Sequence, residues 1–149
     1  MLDKPWLPLR IASVISLVFS WGHTMGGFKG WSPVGDNPVL ASMKAFHFDV
    51  EGVSRSYYEF YRGFGFLLTV FLILQAVLLW QLASLAKNNR SAARRLAWSI
   101  FLASIPTGIL SWIFLFPVPV YFDVLLTACL AWAVFSLVRD EQASRAEAH

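Results

Sequence analysis

Cysteine occurs once, at Cys129. A lone thiol forms neither an intrachain disulfide nor a CxxC redox pair, so thiol-disulfide chemistry within one chain is excluded. Charge is scarce as well. Asp, Glu, Lys and Arg make up 14% of the 149 residues against 57% hydrophobic, a balance that belongs to membrane proteins rather than soluble cores. The charges are also clustered: none falls between Arg10 and Lys29 (18 residues), between Arg62 and Lys87 (24), or between Arg95 and Asp123 (27). A helix crosses a hydrocarbon core of ~30 Å with about 20 apolar residues, so three spans follow. A fourth covers 119–138, where Asp123 is the single charge, and the polar tail 139–149 closes it.

The spans are expected near 7–27, 57–86, 93–116 and 119–138, in a single domain without repeats or a low-complexity linker. The first apolar run is long and ends in Trp21, Gly22, His23 and Thr24 rather than at a small-residue cleavage site, so it is expected to be retained as a helix. The connections 87–90 and 117–119 are short enough to force antiparallel neighbours. The expected fold is therefore an all-α membrane protein, an antiparallel four-transmembrane-helix bundle. With the N-terminus in the cytoplasm, the inner segments hold Lys4, Arg10, Lys87, Arg90, Arg94, Arg95, Arg139 and Arg145. The outer ones hold Lys29, Lys44, Arg55 and Arg62. Eight against four follows the positive-inside rule and puts both termini in the cytoplasm. The net charge of +3 thus has a topological cause, and nucleic acid is not indicated as a partner.

The loop 28–56 is the long connection, extracytoplasmic in this topology. Gly26, Gly27, Gly30 and Gly35 open it, and Asn37 followed by Pro38 is a helix start. A short amphipathic helix is expected over 38–48, turning Val39, Leu40, Met43, Phe46 and Phe48 to the bilayer or the bundle. Ser56 with Glu59 three residues on makes a capping box for the second span. A helix over 57–86 is roughly 45 Å long, longer than the hydrocarbon, so its first turns present Tyr57, Tyr58, Glu59, Tyr61 and Arg62 to the loop. Small-residue spacings recur in every span: Gly22 and Gly26 with the stripe Ser13, Ser16, Ser20; Gly65 and Thr69; Ser104 and Gly108; Thr127 and Ala131. They suit close helix packing in lipid. Pro106 removes a backbone hydrogen bond from the third span and is expected to kink it.

Ionisable groups within a span are functional candidates, though structural pairs also occur. His23 and Asp123 qualify, both near the outer ends of their helices, where they can pair. The loop adds His47 and Asp49, so that His23, His47, Asp49 and Asp123 are the candidates for any catalysis. A ligand would be met by His23, His47, Tyr57, Tyr58, Glu59, Tyr61, Arg62 and Asp123. The aromatic residues among these also make an ordinary interfacial belt. No HExxH motif or cysteine pair is present, and His149 is the one histidine left for a second axial ligand, so neither a metal nor a haem is expected, nor any other cofactor.

The segment His47-Phe-Asp-Val-Glu-Gly-Val-Ser-Arg-Ser-Tyr-Tyr-Glu-Phe-Tyr-Arg-Gly-Phe-Gly65 resembles an uncharacterised family of small bacterial four-transmembrane-helix proteins over about residues 43–82. That resemblance implies the four-span topology and a bacterial inner membrane, and carries no mechanism. The expected function is binding of a lipophilic small molecule or a protein partner at the extracytoplasmic face. One rival is an enzyme acting on a lipid or quinone-like substrate, with His23 or His47 as acid/base and Asp123 or Asp49 orienting it. Another is an accessory subunit of a larger membrane complex.

Overall fold

The computed structural model describes residues 4–147, with side chains as far as Arg139; His149 and the side chain of Arg145 lie outside that description. In chain order the elements are α1 (Trp6–Phe28), α2 (Pro38–Ala45), β1 (His47–Val50), β2 (Val53–Ser56), α3 (Tyr57–Asn88), α4 (Arg90–Phe114) and α5 (Pro117–Glu147). Helices α1, α3, α4 and α5 are long and apolar enough to cross a membrane, which makes the chain an all-α, antiparallel four-transmembrane-helix bundle.

Of the boundaries that move, two do so for local reasons. Asn89 caps α4, its side-chain oxygen accepting from the Ala92 amide at 3.0 Å, so the helix starts at Arg90 rather than 93. Pro117 supplies the first residue of α5, where its missing N–H is not needed. α5 then continues past residue 138 without a break.

The loop needs a larger correction. Asn37 caps α2 as expected, accepting from the Leu40 amide at 3.0 Å, but the helix ends at Ala45 and not at 48, because Phe46 turns extended. Residues 47–56, which carried no strand expectation, form an antiparallel hairpin pairing His47 with Ser56 and Asp49 with Ser54. Its turn is Glu51-Gly52, both at positive φ (51° and 81°). That is the two-residue turn whose twist matches paired strands. The capping box forms at the hairpin's exit: the Glu59 carboxylate accepts from the Ser56 amide at 2.8 Å, and the Glu59 amide donates to Ser56 Oγ at 3.2 Å. Helix α3 therefore starts at a fixed residue.

The chain divides into two compact units, one holding the chain up to Phe19 and from Leu74 onward, the other Ser20–Ile73. In the first, small residues let helix backbones close on one another. Ser13 of α1 donates to the Ala76 carbonyl of α3 at 2.7 Å. The Arg10 guanidinium lies over the Trp80 ring at 3.3 Å and donates to Ser84. Helices α4 and α5 meet along a seam of seven-residue spacing: Ala97, Ser104 and Ser111 are buried on α4, and Asp123, Leu130 and Leu137 on α5. Thr127 donates to Ser104 across it at 3.0 Å. The second unit joins the remaining parts of α1 and α3 to α2 and the hairpin. There Ser20 donates to the Thr69 carbonyl at 3.5 Å and Thr24 to the Thr69 hydroxyl at 3.3 Å.

Candidate functional site

Within the second unit, the polar and aromatic candidates organise around a residue that the sequence did not single out, Trp31. It has φ +47°, a left-handed conformation that is uncommon for a bulky side chain. Gly30 just before it, at φ +74°, turns the chain back. The indole lies against Gly27 and Gly65 so closely that a Cβ at either would collide with the ring. Its N–H donates to the His23 carbonyl at 2.9 Å. His23 Nε2 in turn donates to the Gly65 carbonyl at 2.9 Å, which joins α1 to α3 through a half-buried imidazole. Tyr61 donates to the Trp31 carbonyl at 3.3 Å. Arg62 lies 5.7 Å from the centroid of Tyr58 and 5.3 Å from that of Phe66.

The remaining loop candidates lie apart from that cluster. His47 is exposed and its Nδ1 donates to the Ala45 carbonyl at 3.0 Å. Asp49 is exposed on the same strand face. Tyr57 stacks on Phe46 with ring centroids 5.5 Å apart and leans on Phe48. Glu59 is engaged in the helix cap. Among the described residues no three His, Cys, Asp or Glu side chains are gathered to hold a metal ion.

Asp123 belongs to the first unit. It is the seventh residue of α5, roughly 9 Å along the axis from Pro117, and only 8% exposed. Ser111 of α4 is a polar neighbour of its carboxyl group. Its Oδ2 is buried with no hydrogen-bond partner. Buried polar atoms rarely go unpaired, and a carboxylate at membrane depth is the expensive case. Asp123 lies in the wall of a groove of about 680 Å³ between α4 and α5, running from Trp112 and Val120 to Phe101 and Ala131. Along α4 that is roughly 16 Å. Gly108 faces Asp123 across the trough: a Cβ there would make ordinary van der Waals contact with the Asp123 Cβ, at 3.7 Å. The Ser104 hydroxyl is spent, donating to the Phe101 carbonyl and accepting from Thr127.

Of the sequence candidates, then, the structure brings His23, Tyr61, Tyr58 and Arg62 to the Trp31 cluster, and sets Asp123 beside Ser111. Ser111 went unnoticed in the sequence, although it continues the Ser104 and Gly108 stripe by a helical turn. The chain matches no protein-family model, and comparisons with curated proteins and with solved structures also give no match.

Proposed function

We propose that this small integral membrane protein binds a lipophilic small molecule in the α4–α5 groove. The observation that carries the reading is the buried, unpartnered Oδ2 of Asp123 in the wall of an otherwise apolar trough. Its volume falls within the ~300–1,000 Å³ typical of small-molecule sites, and one converging polar group on apolar walls is their usual composition. The bias of basic residues supports a cytoplasmic N- and C-terminus, which puts the α4–α5 turn and Asp123 toward the extracytoplasmic face. The resemblance of residues 47–65 supports a bacterial inner membrane. Binding is favoured in the groove because neither histidine lines it; His23 Nε2 and His47 Nδ1 hold the main-chain carbonyls of Gly65 and Ala45.

The test is saturable photolabelling by a long-chain alcohol carrying a diazirine, on the protein in lipid nanodiscs. Labelled residues should map to α4 and α5 between Phe101 and Ala131. Ala128 is exposed in the groove wall, so Ala128→Phe fills the trough without entering the core, and it should abolish saturable labelling there. Labelling unaffected by Ala128→Phe, or spread evenly over all lipid-facing helices, would reject the groove as a site.

A further inference from the structure

We infer that the molecule taken by this groove is a single-chain lipophilic amine, its ammonium on Asp123 and its chain laid between α4 and α5 toward Phe101. The inference rests on the groove being a binding site, as proposed above. Apolar walls discriminate weakly inside a bilayer, because acyl tails are as apolar as the side chains that face them. Selectivity then falls to the polar atoms of the wall. The hydroxyls of Ser104 and Thr127 satisfy each other, which leaves Asp123 as the one ionisable group lining the trough.

What completes Asp123 has to bring a donor to its carboxyl group, whose Oδ2 has no hydrogen-bond partner. To an ionised Asp123 a neutral hydroxyl supplies the donor and leaves the negative charge uncompensated in a medium of low dielectric. An ammonium supplies the donor and the opposite charge together, and such charge-assisted bonds are about twice as strong as neutral ones. Phospholipid ammonium groups fit less well. They bring a phosphate, which no Lys or Arg in the wall receives and which would lie beside the carboxylate. The groove's direction agrees with an amphiphile's. Its polar end is near the α4–α5 turn, at the membrane surface, and its far end lies deeper, so an amine enters head outward as it lies in a leaflet.

The experiment compares two photoreactive probes of the same chain, dodecylamine and dodecanol, on the full-length protein in phosphatidylcholine nanodiscs, with labelled residues mapped by mass spectrometry. The amine should occupy the groove at least about tenfold more tightly than the alcohol, the difference expected for one hydrogen bond to a charged group. Asp123→Asn should remove that advantage while leaving alcohol labelling in place, and Asp123→Glu should retain part of it. The comparison of the two probes on the unsubstituted protein does not depend on how any variant folds. Equal affinity of amine and alcohol there would overturn the amine assignment and leave groove binding standing. Failure of both probes to label saturably would overturn both. Competition by lysophosphatidylethanolamine as strong as that by dodecylamine would overturn the exclusion of a phosphate-bearing head, and crosslinks between two copies along the groove would overturn the small-molecule occupant altogether.

Discussion

At the scale of single residues, two glycines and a tryptophan set the geometry of the loop-side unit. Gly65 offers its carbonyl to His23 and its bare Cα to the Trp31 ring. Gly65→Ala forces the indole to shift, and overpacking of this kind costs about 1–3 kcal/mol. The variant should unfold at lower temperature, with Trp31 emission moved toward that of a wetter indole; emission and midpoint both unchanged would show that the ring is not seated there. The residues at this scale were unevenly legible. Ser56, Glu59 and Asn37 could be read as caps because capping is a short-range rule between neighbours in sequence. Trp31 could not, since its importance comes from two glycines, one on each of two helices, that only the fold brings to one ring. His23 was readable as a polar group near a helix end, but its acceptor is a backbone carbonyl 42 positions away, which leaves no side-chain signal to find.

Among the elements, α4 and α5 show how small-residue spacing becomes a contact. Ser104 and Thr127 stood out as members of separate stripes, and the structure joins them at 3.0 Å. Interhelical hydrogen bonds of this type in membranes average ~0.6 kcal/mol, since the unfolded state in lipid also finds partners. A double-mutant cycle with Ser104→Ala and Thr127→Val should therefore return a coupling of about 0.5–1 kcal/mol in reversible unfolding from mixed micelles. Strict additivity would remove the bond from the account of the seam. The hairpin is the element that escaped the sequence. Its strands are only four residues each, and the apolar residues before it continue a helical spacing from α2. The turn carries Glu where Asn or Asp is the stronger signal. Long spans behave differently, because eighteen or more residues without charge leave a helix as the sole solution in lipid.

For the whole molecule, the four spans followed from where charge is missing, whereas the groove depends on how two helices meet and had no counterpart in the sequence. Orientation rests on the basic residues and has a direct check. With Cys129 replaced by Ala, a cysteine introduced at Gly35 should react with a membrane-impermeant thiol reagent in intact cells, and one at Asn88 should react only after permeabilisation. The reverse pattern would turn the molecule over and put Asp123 in the inner leaflet. The central claim is that Asp123 is completed by a lipophilic molecule held in the α4–α5 groove. An electron cryomicroscopy map of the protein extracted with its native lipids tests this most directly. The expected result is a bounded density that begins beside Asp123 and runs between Gly108 and Ala128 toward Phe101, well above the level of the surrounding annular lipid. A groove filled by no more than annular lipid, with Asp123 turned onto another side chain of the protein, would contradict it.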